Sequence, residues 1–120
     1  MSYDLVVWEG ELPADDEAGE KVYLEHIAPQ LDNYDPANPI PPTPRIKAYV
    51  EALLQRWPNI DENEDNSPWS TCPLMSEAVG SFIYFPMVFN MAEEASAYAA
   101  DLAQKHGLVC YDPQLECLRP

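Results

Sequence analysis

The spacing of the prolines sets the first limits on the helices and strands that this chain can form. A proline has no backbone N–H, and its ring clashes with the preceding helical turn, so it interrupts helices and central strands. Five prolines lie close together: Pro36, Pro39, Pro41, Pro42 and Pro44. We expect an extended, stiff surface connection over residues 32–44. Pro29 and Pro58 are expected to end two helices, and Pro73 favours an edge strand.

In the first half of the chain, the residue pattern predicts one strand and two helices. Residues 5–8 are rich in β-branched and aromatic side chains, which is typical of a strand. Acidic residues at 15–17 favour the N-terminus of a first helix. Thr43 followed by Pro44 predicts the N-cap and first position of a second helix, whose apolar residues recur at helical spacing as far as Trp57.

The second half of the chain predicts a central strand, a long helix and a further strand. Residues 81–89 are apolar at both alternating sets of positions, as in a strand that is buried on both faces. Asn90 is the expected N-cap of a third helix, with Glu93 as its capping-box partner. Gly107 is expected to end this helix, and residues 108–111 then form a strand.

The order of these elements predicts a single α+β domain over residues 1–120. Residues 70–79 fit either a strand or a loop, and residues 115–118 are expected to form a short return strand. The order matches a ferredoxin-like split β-α-β fold, with helices on one face of a mostly antiparallel sheet. Because both faces of the strands carry apolar residues, the second face requires a cover. We expect that cover to be the proline-rich connection, a second copy of the chain, or a partner.

The charge of the chain restricts the class of partner. It carries 21 acidic and 6 basic side chains, and its formal net charge is −15. Nucleic acids and anionic membranes attract clustered Lys and Arg, so neither is an expected partner. A basic protein is the expected partner, since complementary charge speeds association and selects partners.

The expected contact surface consists of two acidic groups and one aromatic anchor. Acidic side chains raise the rate of association with a basic protein, while a large aromatic side chain supplies affinity. The residues that we expect to bind the partner are Asp61, Glu62, Glu64, Asp65, Trp69, Asp15 and Asp16. The run at 61–65 lacks the glycine and the final glutamate of a calcium loop, so it predicts a solvated surface instead.

No catalytic or cofactor motif emerges from the sequence. The chain has no glycine-rich phosphate loop, no nucleophile elbow and no zinc-protease motif. We therefore expect no cofactor, no metal and no enzymatic activity. The least favoured alternative is a small enzyme that uses Asp4, His26, Cys110 or Asp112 in a pocket.

The cysteines and the N-terminal residues favour the cytoplasm. An odd number of cysteines suits a reducing compartment, and residues 1–5 do not resemble a secretion signal. A two-residue loop at Pro113 and Gln114 would place Cys110 opposite Cys117 on a hairpin. A disulfide would then be feasible, but two half-buried thiols on adjacent strands are the favoured interpretation.

Two short motifs, one at each end of the chain, carry a family resemblance. Residues 1–5 read MSYDL, and residues 107–114, after an alanine-rich helix, read GLVCYDPQ. These motifs resemble a family of small, mostly uncharacterised bacterial proteins, some of which look like immunity proteins of polymorphic toxin systems. The resemblance implies a toxin inhibitor that occludes a toxin domain by stoichiometric binding. The alternative is a homodimeric ferredoxin-like scaffold or a small-ligand-binding protein.

Overall fold

A computed structural model describes residues 3–33, 35, 37–38, 40–58, 68–70 and 74–119. The strands are β1 (Tyr3–Trp8), β2 (Ala78–Val79), β3 (Phe82–Met87), β4 (Val109–Asp112) and β5 (Cys117–Leu118). The helices are α1 (Asp16–Val22), α2 (Ala28–Asp32), α3 (Pro44–Arg56) and α4 (Phe89–Lys105), with a 3₁₀ turn at Leu74–Glu77. A π-helical turn, Tyr23–Ile27, joins α1 to α2. We call residues 16–32 the N-terminal helical segment.

The five strands form one antiparallel sheet in the order β2-β3-β1-β4-β5. β1 is the central strand, and Val6 lies opposite Tyr84 of β3 and Tyr111 of β4. β3 lies between β1 and β2, and β1 lies between β3 and β4, which is the split β-α-β arrangement. The predicted α+β fold class is therefore confirmed.

Helices α3 and α4 pack on one face of the sheet. Leu5 and Val7 of β1 point to this face and lie in one core cluster with Ile46 and Tyr49 of α3 and with Ala99 of α4. The small side chains along α4 allow this helix to lie close to the strands. This part of the fold agrees with the predicted layering.

The N-terminal helical segment covers the other face of the sheet. Val6 and Trp8 alternate with the residues of the first face, and they pack with Ile27 and Tyr111 in a second core cluster. The helical segment that buries this cluster belongs to the chain itself and is not one of the three predicted covers, while residues 33, 35, 38 and 40 of the proline-rich connection line a hollow with Val79 of the same cluster.

Gly19 lets this helical segment approach the end of the sheet. A Cβ atom at Gly19 would lie 2.8 Å from Cδ2 of Leu118, so any larger residue would displace that side chain. The carboxylate Oδ1 of Asp16 also accepts a hydrogen bond of 3.0 Å from the backbone N–H of Leu118. Together these contacts cover the outer edge of β5, where an unpaired strand would otherwise be exposed.

Pro29 does not end the first helix, so that prediction is wrong. The chain forms the π-helical turn immediately before Pro29 and then continues as α2 to Asp32. In this turn the N–H of Ala28 bonds to the carbonyl of Tyr23, five residues earlier. The wider turn relieves the clash between the proline ring and the preceding carbonyls.

The predicted N-terminus is correct for α3 and wrong for α4. Thr43 caps α3 through a 3.4 Å hydrogen bond from the N–H of Ile46 to its hydroxyl, and Pro44 is the first helical residue. Helix α4 begins at Phe89 with Val88 as its cap, so Asn90 is not the N-cap. The N–H of Val88 donates to the carbonyl of Pro68 at 2.7 Å, which places the start of the helix directly after β3.

The turn of the C-terminal hairpin is longer than predicted, and its return strand, Cys117–Leu118, is shorter than the expected 115–118. Asp112 pairs with Cys117 across a four-residue turn, and the N–H of Arg119 bonds to the carbonyl of Cys110. Cys110 and Cys117 are therefore not opposite each other, and both are free thiols. Two free thiols on adjacent strands are confirmed, but only Cys117 is half-buried, since Cys110 is buried in the core.

Gly107 ends α4 as predicted, in a Schellman motif. Its φ is +72°, and the N–H of Leu108 bonds to the carbonyl of Ala103 at 2.8 Å. We expect Gly107→Ala to lower the free energy of unfolding by about 1–2 kcal/mol, because alanine is strained in this left-handed conformation. Urea denaturation measures the change. Gly107→Asn is the control, since asparagine tolerates positive φ and should cost less; equal stability of the alanine variant and the wild type would contradict the motif.

Candidate functional site

The two motifs from the ends of the chain meet at one end of the sheet. β4 ends at Asp112, so no strand residue lies beside Asp4 on that side of β1. The side-chain amide of Gln114 takes this place. Its Nε2 donates to the carbonyl of Asp4 at 2.6 Å, and its Oε1 accepts from the N–H of Asp4 at 2.6 Å. One side chain thus continues the hydrogen bonding of the sheet where the backbone has turned away.

The carboxylate of Asp112 is fully buried beside this amide. Its Oδ1 accepts hydrogen bonds from the backbone N–H groups of Gln114 and Leu115, at 3.0 and 3.1 Å, and from Nε2 of Gln114. Its Oδ2 accepts from the hydroxyl of Tyr3 and lies 3.3 Å from Nη1 of Arg119. Five donors therefore surround the two oxygens, which stabilises the buried charge.

Arg119 extends this polar cluster to α4. Its Nη2 lies 3.5 Å from the hydroxyl of Ser96, which is itself buried. Burial, followed by the hydrogen bond to Asp112, raises the pKa of Tyr3 to about 12. The cluster ties β1, β4, the hairpin turn and α4 together, and it extends the pH range over which Tyr3 stays protonated into alkali.

A second tyrosine–aspartate pair lies on the opposite face of β1. The hydroxyl of Tyr84 donates to Oδ2 of Asp4 at 2.8 Å, and burial raises the pKa of Tyr84. The ring of Tyr23 stacks on Tyr84 and Tyr111, with centroid distances of 6.4 and 5.4 Å. This stack attaches the N-terminal helical segment to the second face of the sheet.

The four residues considered for catalysis do not converge. Gln114 links Asp4 to Asp112, whereas His26 lies on the π-helical turn. Cys110 lies in the core on the α3 and α4 face, and burial raises its pKa to about 12. A thiol with such a pKa is a weak nucleophile near neutral pH. The structure therefore assigns structural contacts to both aspartates, and at Cys110 the pKa-lowering charge of Arg119 is outweighed by burial.

Trp69 is a core residue, so its prediction as a surface anchor is wrong. Its side chain is fully buried, and its indole N–H donates to the carbonyl of Trp57 at 2.7 Å. The ring packs edge-on against Trp57 and Phe85. Its neighbours Asp61, Glu62, Glu64 and Asp65 lie outside the described residues, so their part in binding stays a prediction.

Asp15 and Asp16 are exposed, and both also hold the fold together. The carboxylate of Asp15 caps α1 by accepting from the N–H of Ala18 at 2.9 Å. Asp16 holds β5 through Leu118, as described above. Their charge is accessible to a partner, but substituting either residue would also change the stability of the protein.

Several further carboxylates lie close to Asp15 and Asp16, on the outer side of α1 and of the π-helical turn. A surface hollow of about 590 Å³ is lined by carboxylates and a single lysine, Lys21. The acidic residues around it are Asp15, Glu17, Glu20 and Glu25. Leu24 lies among them with 54% of its side chain exposed, which adds an apolar contact point. We call this surface the acidic helix face.

No protein-family model, curated protein or solved structure matches the chain. Among the described residues, no group of three or more histidine, cysteine or acidic side chains is placed to hold a metal ion. No helix within the described ranges is long and apolar enough to cross a bilayer.

The Asp112 cluster gives a direct test of its structural role. We expect Asp112→Asn to lower the free energy of unfolding by about 2–4 kcal/mol, because Arg119 loses its charged partner and an amide group faces two donors. Urea denaturation measures this loss. Glu116→Gln, an exposed change in the same turn, is the control and should stay within about 0.5 kcal/mol of the wild type. Similar stability of the two variants would show that the cluster contributes nothing.

The raised tyrosine pKa values predict a loss of stability in alkali. Burial raises the pKa of Tyr3 and Tyr111 from 10.0 to about 12 in the folded protein. The unfolded chain therefore loses these protons first, so their contribution is complete below pH 10 and disappears as the pH rises toward 12. Urea denaturation at a series of pH values should show this fall, and Tyr3→Phe should make it less steep. A free energy of unfolding that is constant across this range would contradict the prediction.

Proposed function

We propose that this protein is a binding module whose acidic helix face binds a basic protein domain. The observation that supports the proposal is the combination of exposed carboxylates with an exposed apolar residue, Leu24, on one surface. The surface is held on the sheet by the second core cluster and by the bond from Leu118 to Asp16. A preorganised surface loses little conformational entropy on binding.

The polar residues away from this surface support binding over catalysis. Both oxygens of Asp112 are occupied by donors from the chain, and the carboxylate is shielded from solvent. A general base needs access to the proton that it removes. The polar cluster thus favours a structural role, and the net charge of −15 favours a basic partner.

The class of partner that we propose is a basic toxin domain, and the protein would act as its immunity protein. The motifs at residues 1–5 and 107–114 support this choice through the family resemblance. Stoichiometric occlusion requires no catalytic group, which agrees with a polar cluster whose hydrogen bonds are satisfied within the chain. A homodimer through bare sheet faces is less favoured, because the N-terminal helical segment packs on the second face.

The first experiment is capture of binding proteins on the tagged chain, with the products of neighbouring genes included. Retained proteins are eluted by a salt gradient and identified by mass spectrometry. We expect one stoichiometric basic partner that is released as salt rises, because exposed charge pairs are screened by salt. If no basic protein is retained at low salt, the proposal fails.

The second experiment locates the contact surface with the partner in hand. We expect the double variant Glu17→Gln, Glu25→Gln to slow association at low salt by roughly three- to tenfold, since both carboxylates are exposed on the acidic helix face. Stopped-flow or surface-based kinetics measure the rate. The matched control is Glu51→Gln, Glu93→Gln, which removes the same charge from exposed positions on α3 and α4. Equal slowing by both variants would show a general charge effect.

The predicted residues outside the described ranges need a variant of their own. Asp61→Asn, Glu62→Gln, Glu64→Gln and Asp65→Asn, combined in one chain, remove the charge of the second acidic group. If this variant alone weakens binding, the contact surface lies there, and the acidic helix face is not the interface.

A further inference from the structure

A cavity opens beside the acidic helix face, between the end of β1 and the π-helical turn. Its volume is about 290 Å³, close to the lower limit of small-molecule pockets. Trp8, Val22 and Ile27 form apolar parts of its wall, while Glu9, Glu11 and His26 line it with polar groups. Such a combination suits a ligand that has an apolar body and a polar, positively charged end.

The indole of Trp8 supplies an unused hydrogen-bond donor at this cavity. Trp8 is only 3% exposed, and its Nε1 makes no hydrogen bond to any of the described residues. A Cβ atom at Gly10 would lie 3.7 Å from Cδ1 of Trp8, the atom bonded to Nε1, and Gly10 lines the same cavity. The N–H edge of the ring therefore faces the cavity wall. No buried side-chain nitrogen or oxygen of the described residues lacks a partner, so this N–H is open to solvent at the cavity and is free to donate to an acceptor on a ligand.

Two carboxylates define the charge of the ligand. Glu9 already has a cationic neighbour, since Nε of Arg45 lies 3.7 Å from its Oε1. Glu11 forms no ion pair within the described part of the chain, so its charge is available to a ligand. The imidazole of His26 on the π-helical turn adds a planar surface that can accept or donate a hydrogen bond.

We infer that this cavity binds the side chain of an arginine or lysine presented by the basic partner. The aliphatic stem would lie on the apolar wall, the cationic group would face Glu11, and a peptide carbonyl of the partner would accept from the indole N–H of Trp8. This inference rests on the proposed function, because the partner supplies the side chain. It adds a specific contact at the margin of the acidic helix face.

The test is an NMR titration of the full chain labelled with ¹⁵N. The two probes are N-acetyl-arginine amide and N-acetyl-norleucine amide, whose capped ends carry no charge. Each of the three tryptophans gives one indole signal, and Trp8→Phe identifies that of Trp8. We expect the arginine probe to shift the Trp8 signal in a saturable manner. The signal of Trp69, whose N–H is bonded to Trp57, is the internal control and should stay in place.

Substitution of Glu11 tests the role of its charge. Glu11→Gln should weaken binding of the arginine probe by roughly five- to tenfold, whereas Glu17→Gln on the acidic helix face should leave it unchanged. An unmoved Trp8 signal, equal binding of the norleucine probe, or equal weakening by both variants would overturn the inference.

The partner then separates this inference from the proposed function. If Glu11→Gln weakens both the arginine probe and the partner, the inference is supported. If the partner binds this variant as tightly as the wild type, while Glu17→Gln with Glu25→Gln slows its association, the proposed function stands and the inference is overturned. The arginine probe needs no partner. The inference about the cavity can therefore fail in the NMR test while the capture experiment still supports the proposed function.

Discussion

The buried carboxylate of Asp112 is the interaction on which the arrangement of the two chain ends depends. Its oxygens accept from the hairpin turn, from Gln114, from Tyr3 and from Arg119. An unpaired buried carboxylate would cost several kcal/mol, so each of these donors is needed where it lies. The first strand, the last hairpin and α4 are consequently held in one relative position, and the sheet between them has a defined end.

This fixed sheet explains how a short chain presents an acidic surface without losing its core. Helices α3 and α4 bury one face, and the N-terminal helical segment buries the other with Ile27 and Tyr23. Glu17 and Glu25 of that segment are exposed to solvent, because its apolar side packs on the sheet, whereas the carboxylate of Asp16 holds β5. Charge repulsion among them is therefore opposed by packing on the other side of the same helix.

The sequence allowed the fold to be predicted because its strongest signals are local. The alternation in β1 and the Thr43–Pro44 pair each depend on a few adjacent residues. The π-helical turn could not be predicted, since proline usually ends a helix and only the cover of the second sheet face keeps this one continuous. The prediction that Trp69 lies on the surface is wrong for a related reason. Trp69 follows a polar run in the sequence, but tertiary contacts with Trp57 and Phe85 bury it.

The polar cluster was only partly foreseeable. The two end motifs contain four of its residues, so the sequence pattern does point to them: Tyr3, Asp4, Asp112 and Gln114. Their pairing depends on a side-chain amide replacing a strand at the end of β4, which no sequence pattern signals. Arg119 and Ser96 carried no signal, since each is a common residue whose role arises from contacts across the fold.

The central position of β1 also has a consequence for the synthesis of the protein. β1 lies near the beginning of the chain, but its partners β3 and β4 begin at Phe82 and Val109. A ribosome must therefore release the whole segment between β1 and β3 before β1 can pair, and contacts between such distant residues form slowly. Until then the apolar residues of β1 are exposed, so the nascent chain depends on its own acidic charge, or on chaperones, to avoid aggregation.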